Sequence, residues 1–148
     1  MIRKINKNDR ELYIALAKKF YNSDAVMHSV PESYFEATWN EMIRSNDYAR
    51  GFILEDNGKT AGYALLSFTF SQEAGGKVAW IEEVFILPEF RGSGLGSQFF
   101  DYVHMEIEPE VRRVRLEVEP DNLRAIKLYE KLGFDGLPYT QMVKETIS

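Results

Sequence analysis

The sequence predicts a layered α/β (α+β) domain with an antiparallel front half and a β-α-β unit behind it. Three observations carry that expectation. Runs with strand alternation are interspersed with runs at the helical period. Asn57-Gly58 joins two apolar runs, a strong hairpin signal. A strand closed by Pro88 passes through a glycine-rich loop into an amphipathic helix. The length of 148 residues, 45% of them hydrophobic, suits one domain over 1–148 with a core that needs no disulfide or metal.

Each element follows from local pattern. Ile2 to Asn6 reads as a first strand, and Asp9 as the cap of a helix in which Leu12, Leu16 and Phe20 recur. After a turn at Asn22-Ser23-Asp24 and a loop ending at Pro31, a second helix carries Phe35, Trp39 and Met42 or Ile43. Ala49–Glu55 and Thr60–Phe70 are the hairpin strands, and Gly75-Gly76 turns the chain into a fourth strand, Lys77 to Leu87. A helix starts within Gly94–Ser97 and runs to about Glu108, burying Leu95, Phe99, Val103 and Ile107. Val111–Val118 is a fifth strand and Asn122–Leu132 a fourth helix, ended by Gly133. Phe134–Tyr139 and Gln141–Glu145 remain as short terminal strands.

Composition narrows the chemistry. With no cysteine, a thiolate zinc site, an iron–sulfur cluster, a redox dithiol and a cysteine nucleophile are all excluded. The two histidines, His28 and His104, show no ligand spacing, so no metal is expected. A net charge of −5 makes the chain a poor binder of nucleic acid. The basic start has no apolar run after it, and the uncharged stretch Thr60–Gln72 is too short to span a bilayer. A cytoplasmic protein with no membrane partner is the simplest expectation, and a homodimer is compatible with it.

The segment Val84 to Gly96 is the most informative. Gly92, Gly94 and Gly96 stand on alternate positions between a strand and a helix, letting backbone amides approach a ligand closely. With the helix dipole they make an anion site suited to phosphate, and Arg91 adds a charged donor at its entrance. The P-loop pattern fails because Ser97-Gln98 follows Gly96. The dinucleotide fingerprint fails on spacing and on position in the chain. A tight turn with purely steric glycines is the plain alternative.

Arg91-Gly92-Ser93-Gly94-Leu95-Gly96 resembles the Arg/Gln-x-x-Gly-x-Gly/Ala signature of the GCN5-related N-acetyltransferase superfamily. A second block, Asn122 to Phe134, is similar to that family's Asn-x-x-Ala-x-x-Leu-Tyr-x-x-x-Gly-Phe pattern. The resemblance implies a mixed, mostly antiparallel sheet of about six to seven strands, with a parallel pair at strands four and five and about four flanking helices. It also implies acetyl-coenzyme A as acyl donor. The amides of Arg91, Gly92, Ser93, Gly94, Leu95 and Gly96 would then cradle the pyrophosphate, and Val84 and Ile86 would offer main-chain contacts to the pantetheine arm. Asn122 resembles a cofactor contact, or else serves as a helix N-cap. Tyr129 resembles the acid that protonates the departing thiolate, or else is a core aromatic.

An alkyl amine, with a pKa of roughly 10.4, must lose a proton before it attacks. Glu82 and Glu83 are the candidates. Strand alternation sends them to opposite faces unless a bulge intervenes, and Glu82 shares parity with Val84 and Ile86. Glu82 is therefore the expected base and Glu83 a contact for a cationic acceptor, against the plain reading of solvated strand carboxylates. The Glu82-Glu83-Val84-Phe85-Ile86 run also resembles the acidic run of diamine and polyamine acetyltransferases. His28, Tyr34 and Trp39 are candidate lining residues, although the Phe35-Trp39-Met42 spacing fits a core.

The expected activity is direct transfer of an acetyl group from acetyl-coenzyme A to a primary amine, on a small molecule or on a peptide or protein. A non-catalytic acyl-coenzyme A binding or sensing module is the alternative, and a nucleotide-binding regulatory domain a second one. Thiol release with amines separates the first pair, and protection by ATP or NAD marks the third.

Overall fold

The computed structural model describes residues 1–26 and 28–147. Two compact units divide the chain, Met1–Leu116 and Glu117–Ser148. In the first, β1 (Ile2–Lys4), β2 (Ala49–Asp56), β3 (Lys59–Ser71), β4 (Gly76–Ile86) and β5 (Arg113–Leu116) form a sheet in the order β1-β2-β3-β4-β5. Neighbours are antiparallel except β4 and β5, which run parallel and are joined through α3 (Leu95–Tyr102). The hairpin turn is made by Asn57 and Gly58, both at positive φ (51° and 77°), as its primed turn requires.

Helices cover both faces. α1 (Arg10–Tyr21) and α2 (Glu32–Arg44) pack Tyr13, Leu16, Ala17, Phe35, Trp39 and Met42 against Ile53, Tyr63 and Phe85. Phe52, Leu54, Ala64 and Leu66 lie on the other pleat of β2 and β3, where the Phe52 and Phe99 rings stand 6.4 Å apart. Leu95, Phe99, Val103 and Ile107 are buried as their spacing predicts. After Tyr102 the helix relaxes into a π-helical turn, Val103–Ile107, and a 3-10 turn, Glu108–Glu110.

Asp9 precedes α1 without capping it through its side chain. Its buried carboxylate turns back to accept from the Arg3 guanidinium at 2.8 and 3.0 Å and from the Asn6 amide at 2.9 Å. Arg3 holds the Asp9 carboxyl below its usual range. A guanidinium offers two charge-assisted bonds where the helix terminus offers single amides, so the ion pair wins.

In the second unit α4 (Leu123–Lys131) is followed by Gly133 at φ 97°. The terminal strands expected at 134–139 and 141–145 do not form, so the sheet has five strands rather than six or seven. Gly136 and Pro138 interrupt the first run, and a proline cannot donate to a ladder. Met142 and Val143 in the second are 94% and 84% exposed, without the half-buried alternation that fixes a strand. β5 is likewise shorter than expected.

Candidate active site

β4 decides the site. Its register against β3 slips between Leu65 and Leu66: Leu65 faces Glu83 and Leu66 faces Ile81, so Glu82 is the extra residue of a β-bulge. The bulge brings both acids to one face. Glu82 Oε1 accepts from Ser67 Oγ at 2.7 Å, and Glu83 Oε1 accepts from Tyr63 Oη at 2.5 Å. Ser67 and Tyr63 lie on the same pleat of β3, facing α1 and α2. The expectation that Glu82 shares a face with Val84 and Ile86 is therefore corrected. Those two lie opposite Ala64 and Gly62, on the other pleat.

Glu83 sits in an aromatic nest. The Tyr21 hydroxyl donates to its second oxygen, and the Tyr13, Tyr63, Phe20 and Phe85 rings pack around these contacts with centroids 5.5 to 6.2 Å apart. Burial raises the Glu83 pKa above the usual carboxylate value. Its two phenolic donors pull the other way, and the neighbouring charge of Glu82 adds to the rise. Burial, together with the Glu83 charge, pushes the Tyr21 and Tyr63 phenols well above their usual range, so both stay protonated donors at neutral pH. Glu82 is exposed by comparison.

Among the described residues, the outer edge of β4 beyond the bulge pairs with no strand. The parallel ladder with β5 stops at Ile81 opposite Leu116, while the ladder with β3 continues to Ile86 opposite Gly62. The Leu87 amide donates to Ala61 O on β3 at 2.8 Å. By alternation the amides of Val84 and Ile86 point the other way, toward the open edge. The Ile86 carbonyl on that edge accepts from Arg91 Nε at 3.0 Å, so Arg91 ties the loop to the strand.

The loop then presents a row of donors. Among the described residues, the amides of residues 92–97 make no hydrogen bond, and the first bond of α3 runs from the Gln98 amide to Gly94 O at 3.0 Å. Gly94 caps α3 in the left-handed region at φ 84°, and a Cβ there would meet nothing within 4 Å. The glycine is needed for its backbone angle, not for packing space. Ser93 Oγ donates to Phe90 O at 2.6 Å and fixes the turn.

Asn122 and Tyr129 belong to the second unit. Asn122 is an N-cap, its Oδ1 accepting from the Ala125 amide at 3.2 Å. Tyr129 is half-buried against Phe134, with centroids 6.0 Å apart, and burial raises its pKa. Among the other candidates, Trp39 is core, and Tyr34 and His28 are exposed. No group of acids and histidines among the described residues could hold a metal, and no described helix is long and apolar enough to cross a membrane.

A strand edge without a partner runs into a loop of unpaired amides at the start of α3. The model of the acetyltransferase (GNAT) family matches residues 11–134. The chain belongs to that family. This GNAT chain is 30% identical over 113 residues to a putative ribosomal protein bS18-alanine N-acetyltransferase of Bacillus subtilis, covering 72% of this chain and 71% of that one. It is 34% identical over 77 residues to a thialysine N-epsilon-acetyltransferase of Bos taurus, covering 51% and 45%. The chain thus spans between about half and less than three quarters of the curated relatives' length. Among solved structures, the aminoglycoside N-acetyltransferase AAC(6')-Iy in complex with a bisubstrate analog superimposes with a TM-score of 0.77 at 22% identity, covering 99% and 98%. It shares this GNAT fold.

Tyr21, Tyr63 and Ser67 are the site residues the sequence reading does not single out. Tyr13, Ala17 and Tyr21 at i, i+4, i+8 form a stripe, and Tyr63, Leu65 and Ser67 share a parity. Nothing in either pattern marks Glu83 as their common partner.

Proposed function

We propose that this protein transfers the acetyl group of acetyl-coenzyme A to a primary amine by direct attack within a ternary complex. The observation that carries the reading is the free edge at Val84 and Ile86 running into the unpaired amides of residues 92–97. The edge suits an extended, amide-bearing arm and the cradle suits a pyrophosphate at a helix N-terminus. Arg91, Gly92, Ser93, Gly94, Leu95 and Gly96 would hold the phosphates, and Asn122 would reach the donor through its Nδ2 group.

The amine nitrogen attacks the thioester carbonyl, the carbon–sulfur bond breaks, and the thiolate takes a proton. Glu82, whose Oε2 makes no hydrogen bond among the described residues, accepts the proton lost by the amine, directly or through water. Glu83 supplies negative charge beside a cationic acceptor. Tyr129 returns a proton to the thiolate, its neutral form favoured by burial. The chain contains no cysteine, so an acetyl-cysteine intermediate is excluded. Acceptors named for the relatives, an alanine amine and a thialysine amine, support an amine here. The family match over residues 11–134 crosses both units, which supports one acetyltransferase domain over 1–148. Its proposed place of action is the cytoplasm, on a small amine or a peptide.

The test is thiol release from acetyl-coenzyme A with a panel of diamines, amino acids and alanine-terminated peptides. Turnover is expected with at least one class, and Tyr129→Phe should lower kcat about tenfold or more while leaving coenzyme A affinity within about twofold. Tight coenzyme A binding without release on any amine would favour the binding module instead.

A further inference from the structure

One row of side chains crosses three strands on the acceptor face. Trp80 stands directly opposite Ser67 on β3 and directly opposite Arg115 on β5, so all three project to the same side. Ser67 in turn holds Glu82. The Arg115 guanidinium lies over the Trp80 ring, 4.1 Å from its centroid. Arg113, two residues earlier, is paired with Glu73 at 3.1 Å, whereas no carboxylate among the described residues pairs with Arg115. Stacking on an indole fixes the plane of a guanidinium and leaves its edge donors directed outward. A flat, half-buried cation with no paired carboxylate is a receptor for an anionic group.

Its position sets the spacing. Arg115 is one strand across from Trp80, and Glu82 is two residues along β4 from Trp80. With strands about 4.8 Å apart and about 3.3 Å of rise per residue, the Arg115 and Glu82 backbones are about 8 Å apart on this face. An acceptor joining them carries an amine at one end and a carboxylate at the other. Building on the amine-acetylation reading, we infer that the acceptor is a diamino acid. Arg115, oriented by Trp80, reads its carboxylate while Glu82 and Glu83 receive its terminal amine. A simple diamine would leave Arg115 without a partner.

The experiment compares L-lysine, L-lysinamide and cadaverine as acceptors, in wild type, Arg115→Gln and Arg115→Lys. Lysine and its amide differ only in the carboxylate. In wild type, kcat/KM for lysine should exceed that for lysinamide and for cadaverine by about tenfold or more, carried by KM. In Arg115→Gln the ratio should approach one, and Arg115→Lys should restore part of it. A merely structural Arg115 would change all acceptors alike and leave the ratio intact. Equal use of lysine and lysinamide by wild type, or an undiminished ratio in Arg115→Gln, overturns the assignment. Turnover of an alanine-terminated peptide with none of lysine would overturn it and leave the transferase reading standing. Coenzyme A binding with no turnover of any amine would defeat both.

Discussion

Replacing Gly62 with alanine tests whether the position of β4, and not its sequence alone, makes the site. Gly62 lies opposite Ile86, and a Cβ built on it falls 2.0 Å from the Phe85 carbonyl oxygen and 3.0 Å from Ile86 Cα. Those atoms are backbone and cannot rotate away. Cβ atoms essentially never approach other atoms within 3.0 Å, so β3 and β4 must separate by about 1 Å here. Such overpacking costs about 1–3 kcal/mol. For a chain of this size that is a drop of about 3–10 °C in Tm. The displaced backbone is the one whose Val84 and Ile86 amides form the open edge, so coenzyme A affinity should fall about tenfold or more as well. Thermal melts with and without coenzyme A, and a calorimetric titration well below Tm, measure both effects. Leu16→Ala, a core truncation in α1 expected to cost about 2–5 kcal/mol, is the control: it should lower Tm and leave the affinity within about twofold. An alanine variant with the wild-type Tm, or one destabilised but with full coenzyme A affinity, refutes the reasoning.

Gly94→Val forces a β-branched residue to φ 84°. It should weaken coenzyme A binding at least tenfold while acceptor KM changes little, and unchanged affinity in a folded variant would remove the loop from the site. Glu83→Gln probes the buried carboxylate through the pH dependence of stability. Because the folded-state pKa is raised, Glu83 imposes no ionisation cost below the unfolded value of about 4.3. As pH rises through the folded value, the native state loses stability that the variant keeps. The Tm difference, variant minus wild type, should therefore grow from pH 4 toward neutrality and then level off; a difference flat across that range contradicts the burial argument.

The order of elements was legible because each was written locally. The Asn57-Gly58 turn, the apolar stripe Leu95-Phe99-Val103-Ile107 and the glycines of the loop each depend on residues within a few positions of one another. The bulge at Glu82 was not legible. No glycine or proline marks it, and it exists only because β3 and β4 pair in registers that differ on either side of it. That one slip moves Glu82 off the face shared by Val84 and Ile86 and beside Glu83. Two-fold alternation read along β4 alone therefore put one acid on the wrong side. Asp9 shows a similar limit: its place before α1 was right, while its partner Arg3 lies on β1 and outcompetes the cap. The terminal strands failed because a strand is a relation to a neighbour, and β-forming residues such as Val143 do not carry that relation themselves.

The free edge of β4 is a sheet that stops pairing in mid-strand. Unpaired strand edges are templates for any passing peptide, which is why folded proteins shield them. An extended cofactor arm lying along Val84 and Ile86 would act as a small-molecule strand, and its occupancy would also be the shield. Stability then follows ligand concentration as RT ln(1 + [L]/Kd), about 2.7 kcal/mol at one hundred times Kd. The abundance of acyl donor would set how long the chain survives as well as how fast it works. Starvation for the donor would then act twice, by withholding substrate and by uncovering an edge open to aggregation.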